Sequence, residues 1–387
     1  MKIIYCNFTA TGNEDAIDYL RRNSEDFARL HLSFHHAKGK RKTILTKYHQ
    51  GKEEWSKKMM AIKPSSKIAV FGLLPLIYLI HLINISRLRF LLKEHYDVYI
   101  GQNYFCAFGG IILKWLGLTK KTVYWVGDYF PIPPHGIYEY LTRIFLILDK
   151  FCLKHSDEVW FMTPRLIDAR QRDGVLPPKS EKDSYKTVTT GIDANNLTIV
   201  DAKEIDFKSA VSLGVLNKDQ GIDKIIEVIP KILETVPDFK LKIIGSGSFE
   251  EELKALTRKI NVEGHVIFYG FLEKETEVRQ IIAKSGLALS FYRPDKYGFT
   301  QFADSGKIKV YLSCGTPVVS TSVPYISEEI RSYNAGLVVD YDSDRLLEAV
   351  IKLLSDGEFN LNCRKNALKL AKTYDTEKVM SEALKTI

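Results

Sequence analysis

Cysteine is scarce in this sequence and never paired. The five residues Cys6, Cys106, Cys152, Cys314 and Cys363 are scattered, odd in number and nowhere spaced as CxxC. That argues against a disulfide framework or a zinc site and for a reducing compartment. No cluster of His and Asp has convincing metal-ligand spacing. Short-period repeats and low-complexity tracts are missing too. The opening MKIIYCNF reads as a strand and lacks the basic-apolar-small pattern of a cleavable signal, so a cytoplasmic chain is expected.

What is present is apolar residues in quantity and positive charge in one place. With 387 residues, 45% of them hydrophobic, the chain exceeds one ordinary core, and about two domains are expected. Its net charge is +8, but residues 1–200 hold 29 Lys and Arg against 19 Asp and Glu, leaving about −2 for the remainder. An excess confined to one half implies a local anionic partner: nucleic acid, anionic lipid or a phosphorylated substrate.

Strand-like apolar runs alternate with helical patterns from end to end, the signature of βα units on parallel sheets. Strands are expected near 2–8, 30–36, 97–101, 121–126, 158–162 and 186–190, with helices around 13–27, 68–94, 104–117 and 138–155. The rhythm restarts at Ala210-Val211-Ser212-Leu213-Gly214. There follow a helix over about 221–235, the strand 240–245, a helix 248–260, the strand 265–270, a helix 274–284 and the strand 287–292. A helix from 307, the strand PVVST and a last pair of helices complete the chain. Two Rossmann-like doubly wound α/β domains facing a cleft explain the restart, with a seam near 192–209. The expected domains are 1–200 and 201–372, with a C-terminal helix over 373–387 packing back on the first.

Two segments break the pattern. Residues 38–67 hold ten basic residues, among them Lys38, Lys40, Arg41, Lys42, Lys57 and Lys58, against only Glu53 and Glu54. Next comes IAVFGLLPLIYLIHLINIS (68–86), at the lower length limit for a membrane span. The strand YDVYIG follows directly, and a span would put parts of one sheet on opposite sides of a bilayer. The segment is therefore either a buried layer helix or a helix lying in the bilayer surface, with the basic stretch holding lipid headgroups.

The residues with chemical potential lie in turns that follow strands. In DSGKIKVYLSCGTPVVST (304–321), Ser305-Gly306 precedes a helix whose first turn carries Lys307, and Gly315 with Pro317 stops it. A helix N-terminus attracts phosphate, and a lysine there is disfavoured unless an anion binds beside it. The alternative is a solvated lysine. Gly245-Ser246-Gly247-Ser248 and Thr9-Ala10-Thr11-Gly12-Asn13 also follow strands, where such turns serve either a phosphate or tight packing. Asp128, just beyond the strand VYWV, is a carboxylate expected in the cleft; capping the next turn is its structural alternative. His135 reads as a loop residue. Phe271 and Tyr292 at strand ends suit a nucleotide base or simple packing.

These runs together resemble the family-4 (group 1) glycosyltransferases of the GT-B fold. The likeness is carried in the second half by VSLGVLNKDQGIDKIIEVIPKILETVPDFKLKIIGSGSFEEELKAL, VIFYGFL, KIKVYLSCGTPVVST and SEEIRSYNAGLVV. In the first half it is carried by DVYIGQNYFCAFGGIILKWLGL, VYWVGDYFP, SDEVWFMTPRLIDAR and VTTGID. The resemblance implies transfer of a sugar from a nucleotide-sugar co-substrate, with retention at the anomeric carbon and no metal or other cofactor. The sequence also lacks a DxD-like motif. By resemblance, Gly12, Gly214, Gly245, Ser246, Gly247, Phe271, Tyr292, Arg293, Lys296, Ser305, Gly306 and Glu328 are expected at the donor, with Asp128 and Lys307 catalytic.

Departures from the family pattern accompany it. The arginine and lysine that grip diphosphate correspond to Val215 and Gln220, and the paired glutamates to Phe302 and Val310; the common histidine near Asp128 is Gly127. Arg293 and Lys296 are candidates to replace the lost charge. Glu328 and Glu329 stand where relatives place an acid near the donor, and capping of the helix explains at least one of them. Three functions follow as expectations. The first is a glycosyltransferase peripheral to the inner face of the cell membrane, acting on a glycan or polyprenyl-phosphate-linked acceptor and docked through 38–94. The second is a catalytically degenerate scaffold. The third, a nucleic-acid binder, is disfavoured because the basic residues flank an apolar run instead of alternating with aromatics.

Overall fold

The computed structural model describes residues 1–8, 13–32, 42–62, 67–129, 131–132, 136–176, 185–193, 197–295 and 298–387. They form two compact units, one of Met1–Gly191 with Val379–Ile387, the other of Ile192–Lys378.

The first unit is built on an eight-stranded sheet. Its strands are β1 (Lys2–Phe8), β2 (Asp26–Leu32), β3 (Ile44–His49), β4 (Lys52–Lys58), β5 (Tyr96–Gln102), β6 (Thr119–Val126), β7 (Glu158–Phe161) and β8 (Tyr185–Thr187), in the order β4-β3-β2-β1-β5-β6-β7-β8. Its helices are α1 (Glu14–Arg22), α2 (Lys67–Leu92), α3 (Tyr104–Trp115), α4 (Ile137–His155) and α5 (Pro164–Arg172). Strand β1 is central and parallel to both neighbours, with Ile3 opposite Phe27 and Val98, and Ile3 to Cys6 are wholly buried. At its start Lys2 bridges Asp26 at 2.7 Å and Glu94 at 2.6 Å, and His49 reaches the other oxygen of Asp26 at 2.9 Å.

The expected strand over 30–36 lies earlier, at Asp26–Leu32, and the described part of the basic stretch is a hairpin that the sequence reading did not foresee. Strands β3 and β4 pair antiparallel at the sheet edge and turn at Gln50 (φ +48°) and Gly51 (φ +77°). Left-handed backbone at both positions matches the twist of a two-residue hairpin. Strand β4, KEEWSKK, is mostly exposed and charged, which blunts pairing by another chain but erases apolar alternation. Residues 33–41 and 63–66, with Lys38, Lys40 and Arg41, lie outside the described residues.

The second unit has six parallel strands in the order β11-β10-β9-β12-β13-β14. They are β9 (Asp206–Leu213), β10 (Lys240–Ile244), β11 (Val266–Gly270), β12 (Ser285–Ser290), β13 (Val318–Thr321) and β14 (Gly336–Val339). Counted within the unit the order is 3-2-1-4-5-6, that of a Rossmann sheet, and it reverses between β9 and β12. The connecting helices are α6 (Ile222–Glu227), α7 (Ile229–Thr235), α8 (Glu250–Lys259), α9 (Glu275–Ala283), α10 (Gly306–Ser313) and α11 (Ile326–Tyr333), followed by α12 (Ser343–Ser355), α13 (Gly357–Ala371) and α14 (Thr376–Leu384). The single helix expected over 221–235 is broken at Val228, because Pro230 opens α7 and has no N–H to continue α6.

The units divide at Gly191/Ile192, earlier than residue 200. Residues beyond Gly191 attach to the second unit: Ile192 N–H donates to Tyr374 O at 2.8 Å, Thr376 N–H returns to Ile192 O at 3.0 Å, and Thr198 N–H meets Ser313 O at 3.2 Å. Near the C-terminus, Lys186 donates to Ala383 O at 2.6 Å and Thr386 to Glu158 at 2.8 Å, which fixes Val379–Ile387 on the first sheet.

Candidate functional site

Strand β9 ends at the reversal of strand order, and in open parallel sheets the loops at such a point form the ligand crevice. Just past it stands Gly214 (φ +141°), followed by the exposed Val215. The Gly245–Ser248 turn lies directly against this loop. Leu216 N–H donates to Ser246 O at 3.0 Å and Phe249 N–H to Leu216 O at 3.1 Å. A Cβ on Gly245 would stand 1.9 Å from Gly214 O, and one on Gly247 2.1 Å from Leu216 O. Both glycines are therefore required by loop-on-loop packing, whatever else they do.

Helix α10 starts beside the same loop. Ser305 directs its hydroxyl to Tyr292 Oη at 3.3 Å and makes no side-chain cap, so the first-turn N–H groups of α10 are not capped by it. A Cβ on Gly306 would meet no atom within 4 Å, leaving an open approach to the helix end. The Lys307 chain turns back over the β9 loop: its ammonium donates to Gln220 Oε1 at 2.5 Å and sits 4.2 Å from the centre of the Tyr292 ring. Gly214, Gln220, Tyr292, Ser305, Gly306 and Lys307 are thus brought together. The ring and the amide hold the ammonium without neutralising it, leaving its charge for an anion at the helix end.

Other expected residues have different surroundings. Arg293 is committed to Asp223 at 2.7 Å and lies over the Tyr341 ring at 5.6 Å, while its N–H meets Asp219 O at 2.9 Å. It orders the 218–223 loop, so its charge is already partnered. Phe302 is buried, and Val310 packs on the core beside Ile308, Tyr311 and Leu312. Apolar packing occupies both positions where the resemblance implied acids. Phe271 projects from the end of β11 with 75% of its surface exposed. Glu328 is exposed in the first turn of α11. Gly12, Lys296 and His135 lie outside the described residues.

Sequence reasoning missed the supports beneath this site. Tyr311 accepts from Leu213 N–H at 2.6 Å, tying α10 to the end of β9. Asp304 and Lys309 form an ion pair at 2.6 Å with side-chain exposures of 6% and 1%. Lys309 also lies 4.5 Å from the Tyr374 ring, and the Tyr374 hydroxyl donates to Glu329. Burial pushes the Lys309 ammonium down and the Glu329 carboxyl up; Asp304 opposes the first shift, and the Tyr374 bond with Lys309 the second. The signal was a lysine at a position that α10 turns into the core, but residue type alone argues for the surface.

In the first unit, Asp128 follows β6. Its backbone carbonyl accepts from Arg170 at 3.0 Å, and that guanidinium is fixed by the buried Asp149 at 2.8 Å. Loss of hydration pushes the Asp128 carboxyl above the usual aspartate value, with Arg170 pulling it back. The residue nonetheless keeps part of its surface open to solvent, so the loss of hydration is partial and a ligand can reach it. No group of three or more His, Cys, Asp or Glu suited to a metal ion occurs among the described residues.

Residues 208–356 match the model of the glycosyl transferases group 1 family. A GDP-mannose-dependent alpha-(1-6)-phosphatidylinositol monomannoside mannosyltransferase of Mycolicibacterium smegmatis is 31% identical over 155 residues, 39% of this chain and 40% of that protein. A Campylobacter jejuni N-acetylgalactosamine-N,N'-diacetylbacillosaminyl-diphospho-undecaprenol 4-alpha-N-acetylgalactosaminyltransferase is 25% identical over 224 residues, 57% of this chain and 56% of that one. The chain thus spans about two fifths to under three fifths of these curated relatives. The crystal structure of Anabaena Alr3699/HepE in complex with UDP superposes with a TM-score of 0.69, covering 100% of this chain and 99% of that one at 15% identity, a likeness of fold. The chain has the GT-B fold, and its residues 208–356 match the glycosyl transferases group 1 family model.

Proposed function

We propose that the chain is a metal-independent glycosyltransferase that moves a hexosyl group from a nucleotide-sugar to a glycan or lipid-linked acceptor, with retention, in polysaccharide biosynthesis. The observation that carries this reading is the poised Lys307, held by Gln220 and Tyr292 beside the uncapped start of α10. In the proposed reaction the bond from the anomeric carbon to the diphosphate oxygen breaks, and negative charge grows on the leaving group. The helix N-terminus and the ammonium stabilise that charge without reorganising. Phe271 offers aromatic surface to the nucleoside, while the buried Tyr292 ring holds Lys307. Glu328, with Gly214 and the 245–247 turn, lines the donor side. Asp128, with its raised pKa and anchored backbone, orients or deprotonates the acceptor hydroxyl.

The relatives named above act on a phosphatidylinositol mannoside and an undecaprenol diphosphate glycan. This supports a lipid-linked acceptor and a peripheral place on the inner face of the cell membrane, reached through residues 38–94. A second reading, a catalytically degenerate relative that keeps the fold as a binding or scaffold subunit, is favoured by the apolar filling at Phe302 and Val310. A thermal-shift and saturation-transfer NMR screen against UDP, GDP, ADP and their sugar conjugates separates the two, with Lys307→Ala and Asp128→Asn alongside. Transferase activity predicts that one nucleotide stabilises the wild type and Asp128→Asn, but much less Lys307→Ala, while Asp128→Asn loses turnover. If no nucleotide binds, the second reading stands.

A further inference from the structure

Three neighbouring helices of the first unit carry apolar side chains on the side turned away from the sheet. On α2, Leu76, Leu79, Ile83 and Phe90 recur at helical spacing on one stripe and are all exposed; Ile77, Ile85, Leu88 and Leu92 on the opposite stripe are buried. On α4, Tyr140, Ile144 and Ile147 repeat the arrangement, with 70% of the surface of both Tyr140 and Ile147 open. Between them α3 turns the half-buried Phe108 and the exposed Trp115 outward. The three helices form one layer: Tyr78 of α2 touches Phe105 of α3 at 4.6 Å and Phe145 of α4 at 6.3 Å, and Trp115 meets Phe151 of α4 at 6.2 Å. At the far end Arg89 donates to Leu116 O, setting Phe90 beside the α3 terminus. The stripes therefore compose one apolar surface, where soluble monomers scatter such residues singly.

Charge identifies the occupant. Along α4 the residues flanking the stripe are Arg143, Lys150 and Lys154, and α2 ends with Arg87 and Arg89. Of the two acids on α4, Glu139 is paired with Arg143 at 2.9 Å and Asp149 is buried against Arg170. A broad apolar face with a cationic fringe fits the boundary of an anionic bilayer, with the apolar groups among the acyl chains and the cations among the headgroups. A transbilayer α2 does not fit. Pro75–Leu92 is apolar and long enough to cross, but 33% of that window is buried inside the protein and the helix packs along α3.

We propose that the outward faces of α2, α3 and α4 are a monotopic docking surface for anionic phospholipid. The inference rests on the membrane location proposed above and deepens it, adding to α2 the side chains of α3 and α4 that lie outside 38–94. Co-sedimentation of the full chain tests it, with vesicles of phosphatidylglycerol and phosphatidylcholine set against pure phosphatidylcholine. The wild type is expected to partition onto the anionic vesicles and to lose affinity as salt rises. The pair Ile144→Ser with Ile147→Ser, and separately Leu79→Ser with Ile83→Ser, are expected to reduce partition by about tenfold or more. Lys150→Glu with Lys154→Glu should abolish the preference for anionic lipid. All these side chains are exposed, so melting temperature and circular dichroism should stay at wild-type values. Failure of the wild type to partition overturns the proposal, as do serine variants that bind like it. A lipid-free dimer dissolved by the serine pairs, seen by light scattering, also overturns it by making a second copy the occupant. Nucleotide binding is measured separately in the second unit, so its loss would sink the transferase reading without touching the lipid surface.

Discussion

Lys307 and Gln220, 87 residues apart in sequence, are joined by a 2.5 Å hydrogen bond from the ammonium to the amide oxygen. A neutral amide holds the lysine without consuming its charge. Replacing Gln220 with Glu would create an ion pair that competes with any anion arriving at α10. Calorimetric titration of Gln220→Glu with the nucleotide that stabilises the wild type should show affinity weakened by about tenfold or more. Gln220→Ala, which frees the lysine, should change it far less. Equal affinity in Gln220→Glu and wild type would remove Lys307 from the site.

The glycines of this region are expected to separate by cause. Gly247→Ala puts a methyl 2.1 Å from a backbone carbonyl, and Gly245→Ala does so at 1.9 Å with φ at +130°. Each should lower stability by about 2 kcal/mol or more, read from urea unfolding. Gly306→Ala meets open space and should stay within about 0.5 kcal/mol of wild type. If Gly306→Ala nevertheless weakens nucleotide binding, the helix end is where the ligand approaches.

The buried Lys309–Asp304 pair should respond asymmetrically. Lys309→Ala removes the ammonium paired with Asp304 in the core, at a cost of about 3–5 kcal/mol. The double change Lys309→Met with Asp304→Asn removes both charges and should recover much of that loss. A chemical-denaturation double-mutant cycle measures the difference; a fully additive result would show that the two charges do not depend on each other.

Acid should weaken the first unit through Asp26. Burial alone would raise this carboxyl, but Lys2 and His49 bond to it and hold it below the usual aspartate range. Its folded pKa is thus depressed. The stability it contributes is full above the unfolded value of about 3.9 and is lost as pH falls through the folded one. Asp26→Asn should be less stable than wild type at neutral pH and should show a shallower loss of stability below about pH 4, followed by circular dichroism.

All five cysteines are buried and free. Ellman's reagent should find none accessible in the native protein and five in guanidinium, with no change on prior reduction. A rapidly reacting native thiol would mean that one of the cores opens easily.

The alternating apolar runs made the parallel strands of both sheets legible, because a buried parallel strand needs a continuous Val, Ile and Leu segment whatever surrounds it. At Lys307 the sequence shows a conflict, a cation after Ser-Gly at a helix start set against the helix dipole, and the fold lays that side chain on Gln220 and Tyr292. What escaped depended on partners distant in sequence. Strand β4 is almost wholly charged and is a strand only because β3 supplies its hydrogen bonds. Arg293 read as spare charge until the fold set it on Asp223, and nothing in the sequence singled out Lys309, which α10 buries against Tyr374. The outward stripe of α2 was half visible in its composition, but its continuation on α4 needed three helices in one layer.

The hydrogen bonds between Ile192 and residues 374 and 376 place the entry and exit of the second unit side by side. That unit is an insert in the fold of the first, and the segment Val379–Ile387 that closes the first follows it along the chain. On the ribosome, the unit begun first is therefore finished last. The second unit has all its strands before the first receives the segment that bonds Glu158 and Lys186.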